Sequence, residues 1–210
     1  KELVFPSFDN SKYQSYTQDH TAYPIDVSEW SGSVLCLFVD NSLLLIKRSE
    51  TMPSHPGQLA MVGGHKNLNE IDPITVIRRE TKEELGLGEY SWDHWGYLPG
   101  VYTGRRQLVV PVVAKCNISA WRLKWMIKQN SEWDCAILVP FSELCNLSSW
   151  QYAERQGNAK SSLLFRPITK GNYSFIKGQI TNPDFLLWGA TARIVWNLVQ
   201  LYLSQGPCHR

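Results

Sequence analysis

GGHKNLNEIDPITVIRRETKEELGL spans residues 63–87. Asp72 is a good N-cap, Pro73 suits a first helical position and Gly86 is a natural stop. Between them lies room for a helix of about three turns. Ile74, Ile77, Thr81 and Leu85 recur at three- and four-residue intervals and mark its buried face. Glu80, Glu83 and Glu84 stand at i, i+3 and i+4, so their carboxylates leave the helix on a common side.

Like charges at i and i+4 destabilise a helix by roughly 0.2–0.5 kcal/mol per pair. Lys82 points elsewhere. Arg79 reaches Glu83 but cannot neutralise three acids. A divalent cation such as Mg2+, which takes hard oxygen ligands from carboxylates, water and phosphate, can. Gly63-Gly64 reads as a turn beside the acids, where glycine dihedrals let a backbone carbonyl approach a metal.

The stretch resembles the signature of the Nudix hydrolases, G-x5-E-x7-R-E-U-x-E-E-x-G-U with U aliphatic. Gly64, Glu70, Arg79, Glu80, Glu83, Glu84, Gly86 and Leu87 fill its fixed positions. Two departures stand out: eight residues separate Glu70 from Arg79, and Thr81 occupies an aliphatic position. The extra residue falls in the loop near Ile71, which bears on whether the family's Glu70–Arg79 ion pair survives.

Outside this stretch, a chain of 210 residues with 43% hydrophobic content fits one domain, with room for an insertion. A formal net charge of +2, without a basic stripe, argues against an extended nucleic-acid partner. Five cysteines, Cys36, Cys116, Cys135, Cys145 and Cys208, form no C-x-x-C pair. That favours an intracellular, reducing compartment, cytoplasm or organelle matrix, and argues against structural zinc. No apolar run is long enough to span a bilayer.

In order, residues 1–31 read as an N-terminal extension, with 32–210 as the domain. Ser33–Val39 and Leu43–Lys47 form a hairpin about Asp40-Asn41. Arg48 to Gly57 is a loop, and Gln58–Val62 returns to the sheet. Asp93–Leu98 and Gln107–Lys115 are strands, the second placed at an edge or bulge by Pro111. Ala120 to Gln129 carries Trp121 and Trp125 among Arg122, Lys124 and Lys128. It has the look of a membrane-surface helix, but packing is the preferred reading. Cys135–Pro140 is a strand leading to a helix near Phe141–Leu147. Glu132 and Asp134, just before it, are read mainly as solvated surface acids. Phe165–Ile168 and Tyr173–Ile176 form a hairpin over the active-site mouth, within an insertion at 148–182. Asp184–Leu203 is a helix with Leu187, Ile194, Leu198 and Leu201 as core. This order fits an α/β fold, a Nudix-type α/β/α sandwich around a mixed sheet.

Leu44, Leu45, Arg48, Ser49, Gly57, Gly63 and Gly64 also match the L-L-T-x-R-S-x3-R-x3-G-x3-F-P-G-G segment of the coenzyme A diphosphatases in this family. Ile46, Pro53, Met61 and Val62 depart from it. Trp188-Gly189-Ala190-Thr191-Ala192-Arg193-Ile194 is similar to the W-G-x-T-A-R-I helix of the same group.

The resemblance implies a metal-binding pyrophosphatase that cleaves a nucleoside diphosphate linked to a moiety X. Gly64, Glu80, Glu83 and Glu84 would hold magnesium or manganese. Glu83 would take a proton from water with Glu132 as rival, Glu84 would act beside it, and Arg79 would orient the acids. Arg48, His55 and Arg105 would meet the substrate. Coenzyme A, yielding adenosine 3′,5′-bisphosphate and 4′-phosphopantetheine, is the favoured small-molecule nucleotide. A nucleotide sugar, ADP-ribose or a nucleotide-capped RNA is the alternative, and a silent Nudix-fold binding module the other. A homodimer is compatible with all three.

Overall fold

The computed structural model describes residues 14–16, 22–24, 30–154 and 162–204. Of the extension, β1 (Gln14–Tyr16) and β2 (Ala22–Pro24) form a two-stranded antiparallel sheet. Trp30 and Ser31 already belong to β3 (Trp30–Val39), and the rest of the extension lies outside the described residues.

β3 turns at Asp40, whose φ is 51°, into β4 (Ser42–Arg48). The two strands pair only at Phe38–Leu43 and Val39–Ser42. They then diverge, β5 (Leu59–Ala60) pairing with β4 and β6 (Val62–His65) with β3. The expected Gly63-Gly64 turn is therefore strand, with Gly63 opposite Val34 and Gly64 opposite Ser33. A Cβ on Gly63, at φ 151°, would lie 2.3 Å from the Ser33 carbonyl oxygen. The glycine there serves close approach rather than chain reversal.

α1 (Pro73–Leu85) has the expected ends. Thr75 N–H donates to Asp72 Oδ1 at 2.8 Å. Gly86, at φ 70°, sends its N–H to Lys82 O while Leu87 N–H reaches Thr81 O, which closes the last turn. Val76, Ile77, Thr81 and Leu85 are buried and Ile74 is partly so. Thr81 is tolerated in the core because its hydroxyl donates to Ile77 O at 2.6 Å.

β7 (Trp92–Tyr97), β8 (Val101–Tyr102) and β9 (Leu108–Cys116) follow. β9 is interior, parallel to β3 on one side and antiparallel to β7 and β8 on the other, so the edge placement expected from Pro111 is corrected. Pro111 sits where the neighbour changes from β8, at Val109, to β7, at Val112. Its carbonyl still accepts from Leu98 N–H at 2.9 Å.

α2 (Ala120–Met126) anchors through buried Leu123, whereas Trp121 and Trp125 are 74% and 72% exposed. The packing expected of them does not occur, since a seven-residue helix offers one inward position.

β10 (Trp133–Pro140), α3 (Phe141–Leu144), β11 (Gln151–Glu154), β12 (Ser162–Ile168), β13 (Ser174–Gly178), β14 (Phe185–Trp188) and α4 (Gly189–Ser204) complete the chain. β12 and β13 are not a hairpin. β12 pairs with β11 and β14 in a three-stranded sheet, and β13 edges the main sheet against β10. The helix expected from Asp184 starts at Gly189. Phe185 and Leu187 are buried while Leu186 is exposed, a period of two that makes this stretch strand.

Among the described residues the main sheet has nine strands, ordered β13-β10-β4-β3-β9-β7 with β5, β6 and β8 attached. Leu44, Ile46, Leu35 and Leu37 face one cluster with Ile77 and Leu85 of α1 and Leu123 of α2. Leu43, Leu45, Cys36 and Phe38 face another with α3 and Ile194, Val195 and Leu198 of α4. Helices thus cover both faces of a mixed sheet, the sandwich expected from the sequence. Replacing Asp72 with Ala should lower unfolding free energy by about 1 kcal/mol in urea titrations. No change would mean that the cap contributes nothing to α1.

Candidate active site

The box helix lies against β6, and this contact sets the site. A Cβ at Gly64 would stand 2.0 Å from Glu80 Oε1, so only glycine lets that carboxylate sit on the strand. The Gly64 carbonyl oxygen faces β3, 2.5 Å from where a Gly32 Cβ would lie. Glu84, one turn further, is 2% exposed and accepts from Gly63 N–H at 3.2 Å. Its own carbonyl accepts from buried Trp133 Nε1 at 2.9 Å, tying α1 to β10.

Arg79 is the hub of the charges. Its Nε and Nη2 donate to Glu70 Oε1 and Oε2 at 2.8 and 3.2 Å. Nη1 donates to Glu80 Oε1 at 2.7 Å and Glu83 Oε2 at 3.1 Å, and Nη2 also to His65 O at 2.9 Å. The Glu70–Arg79 pair therefore forms despite the extra residue. Ile71 is pushed out to 85% exposure, while Asn67 N–H holds Glu70 Oε2 at 2.6 Å. Arg79 bonding, ahead of the opposing effect of burial, holds the Glu70 carboxyl below its usual range. Hydrogen bonding to Glu70 likewise does most to raise Arg79.

Glu80 and Glu84 behave differently. Burial, against the pull of Arg79, raises Glu80, with Glu83 and Glu132 adding to the rise. Burial first, then the Glu80 charge, pushes Glu84 up to about 8. Glu132 adds to this, while Gly63 N–H and Arg48 oppose it. Glu132, read from sequence mainly as a surface acid but also as the rival proton acceptor, is part of the electrostatics. Asp134 serves elsewhere, accepting from Lys47 Nζ at 3.1 Å.

The expected residues converge unequally. Arg79, Glu80, Glu83, Glu84 and Gly64 come together, and Arg48 acts on Glu84 although its Nε donates to Ser54 O at 3.2 Å. His55 is exposed at φ 54° in the 48–58 loop. Arg105 is exposed on the loop closed by Thr103 N–H to Gln107 O. Neither makes a hydrogen bond or ion pair with the acids.

Among the described residues no three His, Cys, Asp or Glu side chains converge as a ready-made metal cage. The carboxylates instead take the donors at hand, Arg79 for Glu80 and Glu83 and the Gly63 amide for Glu84. The donor set still fits a hard divalent cation. Glu80 and Glu84 are both raised by burial and by neighbouring acids, and two arginines face four carboxylates at their centre.

The NUDIX domain model matches residues 30–154. The chain belongs to this family. It is 37% identical over 176 residues to the mitochondrial coenzyme A diphosphatase NUDT8 of Mus musculus, covering 82% of this chain and 76% of that protein. The Homo sapiens counterpart is 35% identical over 161 residues, covering 76% and 61% respectively. A crystal structure of a C. elegans Ap4A hydrolase binary complex aligns at TM-score 0.44 and 17% identity, over 53% of this chain and 80% of that one.

The protein is accordingly a Nudix hydrolase of small nucleotide-diphosphate substrates, and such hydrolases generally need divalent metal ions. No helix of the described residues is long and apolar enough to cross a membrane.

Glu84 makes the metal-free protein sensitive to pH. Its folded value of about 8 exceeds the unfolded 4.5. The stability it contributes is complete below pH 4.5 and is lost as pH rises through 8. In EDTA the melting temperature should fall between these values, and Glu84→Gln should flatten the slope. An unaltered slope in that variant would assign the effect to other groups.

Proposed function

We propose that this hydrolase cleaves the pyrophosphate bond of coenzyme A or a derivative, giving adenosine 3′,5′-bisphosphate and 4′-phosphopantetheine. The observation that carries the hydrolytic part is the pair Glu80 and buried Glu84 on α1, both packed against the glycines of β6. Two features support the substrate: the named activity of the mouse and human relatives, and Arg48 acting on Glu84 from the segment that resembles the coenzyme A group.

Glu80 and Glu84, with Glu83, are the groups that would hold Mg2+ or Mn2+; the Gly64 carbonyl, which faces β3, would have to turn to join them. A divalent cation there supplies charge neutralisation at the pyrophosphate oxygens and a more acidic water. Arg79 keeps Glu80 and Glu83 aligned through its fork while Glu70 anchors it from behind. Glu83, 57% exposed in its side chain, is open to water and takes the proton as that water's oxygen bonds to phosphorus and the bridging P–O bond breaks. Glu132 is the competing acceptor. Arg48, His55 and Arg105 meet the substrate, the last two after movement of their exposed loops. The described cysteines are free, and with the mitochondrial relatives this favours a reducing organelle matrix.

With Mg2+ or Mn2+ and a panel of coenzyme A, ADP-ribose, nucleotide sugars and capped RNA, mass spectrometry should find the two coenzyme A products. Glu80→Gln and Glu84→Gln should each lower kcat by about a hundredfold or more, and EDTA should stop turnover. Glu83→Gln should remove the acidic, rising limb of the pH–rate profile, and the same loss in Glu132→Gln alone would reassign the proton acceptor. Products only from another panel member would overturn the substrate. Binding without turnover of any diphosphate would make the chain a binding module.

A further inference from the structure

The 48–58 loop has a second side. Strand alternation sends Arg48 toward the α1 face and Lys47 toward the α4 face, as it sends Leu44 and Ile46 one way and Leu43 and Leu45 the other. On the α4 face lies a cleft of about 230 Å³. One wall is Lys47 and Glu50, and the other is Asp184, Phe185, Leu186 and Trp188 of β14 and its approach. This second wall lies beyond residues 30–154, so the family model assigns it nothing.

The charge of the cleft selects what enters. Lys47 Nζ is matched by Glu50 Oε1 at 2.8 Å and Asp134 Oδ2 at 3.1 Å. Asp184 adds a further acid, so the lining and its partners are net negative and repel a phosphate. Carboxylates at the rim accept hydrogen bonds from amides or hydroxyls. The apolar surface beneath, including Leu186 at 46% exposure, suits a carbon chain. The position adds a length requirement. The acids and the cleft are on opposite faces and approach each other at the end of β4, where Lys47 and Arg48 are consecutive, and at the start of β10, between Glu132 and Asp134. A flexible arm of many bonds can follow that edge from one face to the other.

We infer that this cleft receives the long, uncharged, amide-bearing arm of the substrate, and that the phosphorylated nucleoside end binds elsewhere. The inference rests on the diphosphate-hydrolase reading given above. Asp184 and Leu186 are then specificity determinants outside the acidic site.

The test compares coenzyme A with dephospho-coenzyme A, which keeps the arm and lacks the 3′-phosphate, in the parent, Asp184→Lys and Leu186→Trp. Both positions are exposed, and matched melting temperatures check the folds. KM for both substrates should rise about tenfold in each variant, the effect of one lost contact, with kcat unchanged. Unchanged KM values would overturn the inference. So would a lower KM for coenzyme A alone in Asp184→Lys, because the new cation would then be attracting the 3′-phosphate. If the parent cleaves neither compound, the substrate reading fails and calorimetry with pantetheine decides the cleft. Binding lost in Leu186→Trp supports the cleft, whereas equal binding or none in the parent overturns it.

Discussion

Crowded negative charge is the constraint on which the site depends. Glu80, Glu84 and Glu132 repel one another where burial has removed much of the water that would screen them. Arg79 cannot relieve this alone, because its five donor contacts already reach Glu70, Glu80, Glu83 and the His65 carbonyl. Arg79 grips buried Glu70 through both Nε and Nη2, so the two are fixed together. Glu84, lacking an arginine contact, resolves the conflict by holding its proton up to about pH 8. A cation would resolve it differently, leaving both inner carboxylates ionised.

The fold builds this crowding through the divergence of β3 and β4. Because they pair over only two residues on each strand, β5 and β6 can enter between them and bring the glycine pair under α1. Glycine at 63 and 64 removes the Cβ atoms that would strike Ser33 O and Glu80 Oε1. Trp133 fixes the other end of the acid row by donating to the Glu84 carbonyl from β10. The end of β4 carries Arg48 toward the acids, and the loop that follows carries Glu50 toward the cleft. One connection thus touches both regions that a long substrate would use.

What the sequence revealed was local, and what it concealed was mostly long-range. α1 and its caps could be read because Asp72, Pro73 and Gly86 act on backbone within a few residues. The β3–β4 turn and the acid row were legible for the same reason. Pro111 misled because its position depends on which strand stands beside β9, which no local pattern encodes. β12 and β13 are neighbours in sequence yet join different sheets. Phe185–Trp188 looked helical beside the strong period of α4, but pairing with β12 makes it strand. Glu132 reads from sequence as a solvated loop acid and as the rival proton acceptor, and its effect on Glu84 depends on where β10 starts. Trp121 and Trp125 were expected to pack, and nothing in the structure explains their exposure beyond the shortness of α2.

The most direct measurement is Mn2+ binding to the substrate-free protein, followed by calorimetry at neutral pH with proton release recorded alongside. The parent should bind the ion and release protons as Glu84 ionises, and a Glu80→Gln/Glu84→Gln double variant should lose both. Equal affinity and equal proton release in the two proteins would contradict the account.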